Sequence, residues 1–329
     1  MLTRRQFTRL TAGGLVATAS HAAWGQGKYP DRVIRIIAGY PAGGGIDLVA
    51  RLLGDPMKEA LGQPIIVENR TGAAAMIAAH AVANSPPDGH MLLMAASGEV
   101  AINHHVFKDR MTYDPARELT PVALIGIVPC VVVVRGDLPV KTPAELIAYA
   151  KANPNKLSFS SSGVGNPQHL AGELMNRMAG IDVLHVPYRG AAPAVTDVAT
   201  GAVTMSITSL AAALPLLQDG KIRAVAVTSL GRMPQLPDVA PLAEGSPGLA
   251  GYELLNWFAM FAPADTPEPI MNRLHGIVTN ALKEKSLAAK LDVQGIVARP
   301  LNLLELREFV RSEAEKFGRI AQAANIKAE

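Results

Sequence analysis

Residues 33–47 have the sequence VIRIIAGYPAGGGID, in which a β-rich run leads directly into a glycine-rich turn. Apolar residues then recur at helical spacing as far as Leu61, and a β-rich pattern returns at Ile65–Val67. A second glycine-rich turn, SSSGVGNPQH at residues 160–169, stands in the same order of strand, turn, helix and strand. This repeated order predicts an α/β fold with mainly parallel sheets flanked by helices. Two further strands are expected at 122–127 and 131–134.

The two units also match in length. Gly43 and Asn69 are 26 positions apart in the first unit, and Gly163 and Tyr188 are 25 positions apart in the second. Because only two copies are visible, they predict two similar lobes rather than a solenoid. Each lobe then presents one glycine-rich turn at the carboxyl end of a strand, where open α/β sheets bind ligands.

The first 25 residues predict a removable export signal. Arg4 and Arg5 precede a weakly apolar run from Leu10 to Ala19, and small residues follow. Paired arginines before a mildly apolar run resemble a twin-arginine signal; a general secretory signal is the alternative. The run is shorter than the ~20 residues that a membrane-spanning helix needs. We therefore expect an exported, periplasmic protein.

Composition and charge narrow the class of protein further. Of the 329 residues, 49% are hydrophobic and 18% are charged, which is typical of a globular protein. The formal net charge is +3, and three arginines lie in the first nine residues, so nothing indicates nucleic acid or an acidic membrane surface. Cys130 is the only cysteine, which excludes an intrachain disulfide, and its apolar neighbours predict a buried, inert thiol.

Both turns have the features of an anion site. Three glycines, Gly43–Gly45, let the backbone approach a ligand, and the helix that begins near Ile46 leaves its first amides unpaired. In the second turn Asn166 is a natural N-cap and Pro167 a natural first helical residue, and three serines add hydroxyl donors. A helix start favours a nearby negative charge by roughly 0.3–1 kcal/mol.

The chemistry of the turns favours a carboxylate over a phosphate. Neither turn has a dinucleotide or Walker-type fingerprint, and neither contains a lysine or arginine that would neutralise a multiply charged phosphate. The pair therefore predicts a dicarboxylate or an amphoteric acid as ligand, with no cofactor. The alternative is that both turns are tight connections without a ligand.

No constellation for catalysis or metal binding is apparent. His104 and His105 are adjacent and point apart, and His169 with Glu173 supplies too few ligands for a metal. Asp47 could act as a general base, but an acid in the first helical turn is more often a capping or dipole partner. We expect a binding protein rather than an enzyme.

Ordered motifs along the chain resemble the Bug family, the extracytoplasmic receptors of tripartite tricarboxylate transporters. The motifs are YPAGGGID at 40–47, VENR at 67–70, PDG at 87–89, SSGVG at 161–165, HLAGE at 169–173, VPYRG at 186–190, LPDV at 236–239, GYE at 251–253 and FAP at 261–263. The resemblance implies a two-lobed type II periplasmic binding protein, a Venus-flytrap whose cleft closes on its ligand. It also implies the membrane permease subunits of such a transporter as partners, and a monomer.

The resemblance assigns ligand-binding roles to both turns. The first clamp would comprise Tyr40, Pro41, Ala42, Gly43, Gly44 and Asp47. The second would comprise Ser160, Ser161, Ser162, Gly163, Gly165, Asn166 and His169, with Ser97, Tyr188 and Ala192 lining the pocket. The family often has acidic residues where Thr204 and Thr208 stand here, so the resemblance favours a plain organic acid over an amino acid. The expected affinity is micromolar, about −8 kcal/mol.

The expected organisation is an export signal at 1–25, a first lobe at 26–127, a second lobe at 128–228 and a return to the first lobe at 229–329. Hinge strands are expected near 125–131 and 226–230. The predicted function is capture of a di- or tricarboxylate, an aromatic acid or a related organic acid in the cleft between the lobes. The alternatives are a ligand-responsive sensor for a membrane signalling partner and a periplasmic enzyme on the same scaffold.

Overall fold

The computed structural model describes residues 29–326, so the predicted export signal lies outside the described residues. Within this range the strands are β1 Ile34–Ala38, β2 Ile65–Asn69, β3 Met91–Ala96, β4 Leu119–Arg135, β5 Ser158–Ser161, β6 Leu184–Pro187, β7 Met205–Ser209, β8 Ile222–Val227, β9 Leu255–Pro263 and β10 Val297–Ala298. The helices are α1 Gly45–Leu61, α2 Met76–Ala83, α3 Asn103–Val106, α4 Pro115–Glu118, α5 Pro143–Ala152, α6 Pro167–Ala179, α7 Ala191–Thr200, α8 Leu210–Gln218, α9 Glu268–Ala281, α10 Lys285–Val293 and α11 Leu303–Ala323.

The strands form two sheet halves that share one strand. Their order is β2-β1-β3-β9-β4-β7-β5-β6, and β8 and β10 also pair with β4. Both predicted βαβ units are present, because β1 pairs parallel with β2 and β5 pairs parallel with β6. The α/β architecture is thus confirmed.

The pairing is mixed, which corrects the prediction of mainly parallel sheets. Strands β4 and β9 run antiparallel to all their neighbours. Neither strand belongs to a βαβ unit: β4 passes from the first sheet half to the second, and β9 pairs with β3 and with the first part of β4. The order of strands and helices within each βαβ unit therefore does not predict the direction of β4 and β9.

Strand β4 is a single strand, where the sequence predicts separate strands at 122–127 and 131–134. Its residues Leu119–Pro129 pair with β9, and Cys130 begins the pairing with β7. Pro129 therefore lies at the point where β4 passes from the first sheet half to the second. Proline cannot donate a backbone hydrogen bond, and here it marks a change of partner strand rather than a strand end.

The core fills both faces of the sheets. Helices α1, α9 and α10 cover one face of the first sheet half, where Met57 and Leu274 are fully buried. Helices α7 and α8 cover one face of the second half around Val131. Cys130 is 1% exposed, and burial raises the pKa of its thiol to about 12, so the prediction that this thiol is buried is confirmed.

Candidate functional site

The two glycine-rich turns occupy equivalent places in the two sheet halves. The first turn joins β1 to α1, and the second joins β5 to α6. Each follows the carboxyl end of a strand that has a parallel neighbour, which is the edge where such sheets hold ligands.

The first turn ends in a helix start with free amides. Gly43 has φ +83°, and Gly44, which has no side chain, is the N-cap of α1. The first helical hydrogen bond runs from Leu48 N–H to the Gly44 carbonyl at 2.9 Å. The amides of Gly45 and Ile46 precede that bond, so no carbonyl of the helix pairs with them. Pro41 and Ala42 are exposed beside them.

The Asp47 carboxylate holds this turn together. It is 3% exposed and accepts hydrogen bonds from Gly43 N–H at 2.9 Å, Asn69 Nδ2 at 2.9 Å and Arg51 Nε at 3.0 Å. The Arg51 guanidinium, with the two other donors, lowers the pKa of Asp47 to about 2. The interpretation of Asp47 as a capping and dipole partner is supported. Its carboxylate faces the turn's own backbone.

Tyr40 is anchored to a carboxyl that the sequence reasoning missed. Its hydroxyl donates to Glu99 Oε2 at 3.0 Å, and Glu99 Oε1 accepts from Ala96 N–H at 2.9 Å. Glu99 is fully buried, and burial raises its pKa to about 7. The available signal was a single acid inside the apolar stretch that follows β3. Asn69 Nδ2 also donates to the Tyr40 carbonyl at 3.0 Å.

The second turn is capped as predicted. Asn166 Oδ1 accepts from His169 N–H at 2.9 Å, and Pro167 is the first residue of α6. Leu170 N–H donates to the Asn166 carbonyl at 3.1 Å, so the Gln168 amide precedes the first helical bond. Gly163 and Gly165 have φ +145° and +75°, conformations that favour glycine.

The serine hydroxyls of this turn are hydrogen-bonded within the protein. Ser160 and Ser161 are fully buried, and they donate to the carbonyls of Ala194 and Gly163, each at 2.9 Å. Ser162 Oγ lies 3.3 Å from Gln168 Oε1 and also accepts from Asn166. Ser160 and Ser161 lie at the buried end of β5, so their hydroxyls find partners inside the protein.

The predicted pocket-lining residues are split between the two sheet halves. Ser97 is fully buried, and its hydroxyl donates at 2.9 Å to Asn256 Oδ1, a residue that the sequence reasoning missed. Tyr188 donates at 2.6 Å to Asp197, whose hydrogen bond raises the pKa of Tyr188 to about 12. Ala192 is exposed in the first turn of α7.

Thr204 and Thr208, which stand where the family often has acidic residues, differ in their hydrogen bonding. Thr204 Oγ1 accepts from Ser158 N–H at 3.3 Å, so it supports strand pairing. Thr208 is 1% exposed, and within residues 29–326 its hydroxyl has no hydrogen-bond partner.

Packing across the sheet halves constrains the second turn. A methyl group added at Gly165 would lie 2.7 Å from Val106 of helix α3, which belongs to the first half. Likewise, a methyl group at Gly45 would lie 3.2 Å from Phe258 of β9. The second turn therefore packs closely against helix α3, and the first turn packs closely against strand β9.

Residues 29–326 contain neither a metal-binding cluster nor a membrane-spanning helix. In that range no three His, Cys, Asp or Glu side chains cluster as a metal site would require. No helix of the described chain combines the length and apolar character needed to cross a bilayer.

The sequence profile of the family described as "Tripartite tricarboxylate transporter family receptor" matches residues 49–326. The chain belongs to this family. BugT of Bordetella pertussis is 32% identical over 326 residues, which cover 97% of this chain and 98% of BugT. The resemblance to Bug proteins is therefore confirmed, and so is the periplasmic-binding-protein fold.

Two similar solved structures contain bound ligands. Rpa4515 of R. palustris with adipate is 35% identical, has a TM-score of 0.82 and aligns over 91% of this chain and 100% of its own. MatC from Rhodopseudomonas palustris with bound malate is 31% identical, has a TM-score of 0.76 and aligns over 89% and 99%. Both bound molecules are small dicarboxylates.

Proposed function

We propose that this chain is a periplasmic receptor that captures a small dicarboxylate between its two glycine-rich turns and delivers it to membrane permease subunits. The observation that carries the proposal is the matched pair of helix starts, one in each sheet half, each with free amides next to positive-φ glycines. Two separated anion sites fit a ligand with two carboxylates better than a ligand with one.

In this proposal the backbone supplies most of the recognition. The amides of Gly45 and Ile46 receive one carboxylate, and those of Val164, Asn166 and Gln168 receive the other. The buried side chains of Asp47, Ser160, Ser161 and His169 hold the turns in place. Ser97, Tyr188 and Ala192 line the cleft between them. Charge-assisted hydrogen bonds of about 1.5–3 kcal/mol each offset the ordering of ligand and lobes and give an affinity near micromolar.

We further propose that one lobe comprises residues 26–127 together with 229–329, and that the other lobe comprises residues 128–228. We also propose that the receptor is a monomer. The change of partner along β4 at Pro129 supports the first boundary. Closure is then a hinge motion near 125–131 and 226–230, because the ligand contacts both lobes only when they approach each other.

The test is isothermal titration calorimetry of the purified receptor with adipate, malate, hexanoate and adipamide. Hexanoate keeps one carboxylate, and adipamide keeps the length of adipate without its charges. We expect at least one dicarboxylate to bind near micromolar and both control compounds to bind at least about 30-fold more weakly. Equal binding of adipate and adipamide would contradict an anion site in each turn. A chain that binds no dicarboxylate would contradict the proposed function.

Export can be tested separately. The proposal expects the chain to accumulate in the periplasm with its first ~25 residues removed, as the paired arginines indicate. Replacing Arg4 and Arg5 by lysine distinguishes the two export routes. A twin-arginine signal loses export in this variant, whereas a general secretory signal retains it.

A further inference from the structure

Two imidazole rings lie face to face next to the second turn. His169 is in the first turn of α6 and His185 is in β6; their ring centroids are 3.7 Å apart, and their planes differ by 12°. Phe159 of β5, which is paired with His185 in the sheet, lies 4.8 Å from the His185 ring. Only 6% of His169 is exposed, so its ring belongs to the interior.

The hydrogen bonds of the His169 ring define its tautomer. Gly165 N–H donates to His169 Nδ1 at 3.1 Å. A ring nitrogen that accepts a hydrogen bond carries no proton, so the neutral ring has its proton on Nε2. Nε2 lies 3.6 Å from Glu173 Oε1, which is a suitable neighbour for an N–H group.

The His185 ring supports Gly163, the other glycine with positive φ in the second turn. Ser161 Oγ lies 2.8 Å from His185 Nε2 and donates its only proton to the Gly163 carbonyl. His185 Nε2 must then donate to Ser161 Oγ, since the hydroxyl proton is already used. Burial, followed by the nearby His169, lowers the pKa of His185 to about 3, so this ring is neutral near pH 7. The stacked pair thus fixes Gly163 through Ser161 and Gly165 directly.

The Gly165 peptide has little room to move. Its φ is +75°, and the position of a Cβ atom there is 2.7 Å from Val106. A side chain at this position would therefore overlap helix α3, and the His169 ring holds the Gly165 N–H group. The direction of this peptide sets the direction of the neighbouring amides, Val164 and Asn166.

We propose that His169 is a positioning residue of the receptor, which holds the Gly165 peptide through Nδ1 and so orients the amides that receive the second carboxylate. His169 itself does not touch the ligand. This inference rests on the proposed function, because it assigns a role in dicarboxylate binding to a residue of that same site.

Two substitutions separate the acceptor atom from the ring. His169→Asn places an amide oxygen where Nδ1 stands, so it keeps an acceptor for Gly165 but removes the ring. His169→Phe keeps a ring stacked on His185 but removes the acceptor. In titrations with adipate, we expect His169→Phe to weaken binding by about ten-fold or more and His169→Asn to stay within about three-fold of the unchanged receptor. Urea unfolding of each variant reports separately on stability.

Amide hydrogen exchange gives a readout that needs no ligand. We expect the Gly165 amide to be protected in the unchanged receptor and in His169→Asn, and to exchange much faster in His169→Phe. Imidazole ¹⁵N spectra of the unchanged receptor should show His169 with its proton on Nε2, and this measurement needs no variant to fold.

The outcomes are distinguishable. If His169→Phe binds adipate as the unchanged receptor does, or if His169→Asn is equally impaired, the positioning role is wrong. A proton on Nδ1 in the ¹⁵N spectra would also overturn it. If the unchanged receptor binds no dicarboxylate, the proposed function fails, while hydrogen exchange still decides whether His169 holds Gly165.

Discussion

The two turns have the same place in the fold but are held by different chemistry. The first turn is held by charged groups, since Asp47 accepts from Gly43 and forms an ion pair of 2.9 Å with Arg51. The second turn is held by neutral groups, which are the Asn166 cap and the His169 acceptor. The two proposed anion sites therefore depend on different conditions.

The difference matters because the ligand is proposed to be an anion. In the proposed complex a carboxylate at the first turn would lie near Asp47, and the Arg51 charge would balance the two negative groups. The Arg51 side chain is 53% exposed, and water and salt weaken its contribution. The second turn has no such dependence, but its geometry requires particular hydrogen-bond acceptors. The support of the first turn should therefore depend on charge, and that of the second turn on shape.

The largest expected effect is a change of shape in the second turn. Gly165→Ala combines an unfavourable positive φ with an overlap against Val106, and we expect it to lower the free energy of unfolding by about 4 kcal/mol. Gly43→Ala is the matched control in the first turn, because its φ is also positive but no atom lies within 4 Å of the added methyl group. It should cost only about 1 kcal/mol. Urea unfolding measures both, and equal losses would contradict the packing argument.

Removal of the charged support should have the next largest effect. Asp47→Ala leaves Gly43 N–H without its acceptor and removes one of the two acceptors of Asn69 Nδ2, and we expect a loss of about 3 kcal/mol in the free energy of unfolding. Asp55→Ala, at an exposed position of the same helix, is the control and should change it by less than about 0.5 kcal/mol. Similar stability of the two variants would show that Asp47 does not hold the turn.

The pH dependence of Asp47 follows from the lowered pKa. Because the pKa of about 2 in the folded state is below the ordinary value of 3.8, ionised Asp47 stabilises the fold above about pH 4. That contribution is lost as the pH falls through about 2. Asp47→Asn should lack this part of the acid transition, which unfolding curves between pH 5 and pH 2 will show.

Glu99 should give the opposite pH dependence. Its pKa of about 7 in the folded state exceeds the ordinary 4.5, so the protonated form favours the fold, and stability falls as the pH rises from 4.5 through 7. Between pH 5 and pH 8 the unchanged protein should lose about 2 kcal/mol more than Glu99→Gln, whose side chain is neutral at both values. Parallel curves for the two proteins would contradict a buried, titrating Glu99.

The smallest expected losses of stability come from removing the hydroxyl groups of Tyr40 and Tyr188. Tyr40→Phe removes the hydrogen bond to buried Glu99 and should lower the free energy of unfolding by about 1 kcal/mol. Tyr188→Phe removes a hydrogen bond to a half-buried partner, Asp197, and should cost less. Calorimetric melting of the two variants distinguishes them. A larger loss for Tyr188→Phe would contradict the stronger support of the first turn by its buried partner.

Local sequence determined much of this protein. The two βαβ units, the Asn166 cap and the buried Cys130 follow from periodicity, capping chemistry and apolar context, each of which acts over a few neighbouring residues. The resemblance to Bug receptors followed from short motifs in a fixed order. These features are readable because the residues that define them are close together in the chain.

Only the tertiary structure decided how the turns are held. The joining of two predicted strands into β4, the antiparallel course of β9, the burial of the serine hydroxyls and the stacking of His169 on His185 all depend on partners from distant parts of the chain. Glu99 and Asn256 likewise gain their roles from Tyr40 and Ser97, which lie 59 and 159 positions away. A sequence pattern gives the period of an element. The register between elements and the partner of each buried polar atom are set by packing the whole chain, because burial makes every such atom require a specific neighbour.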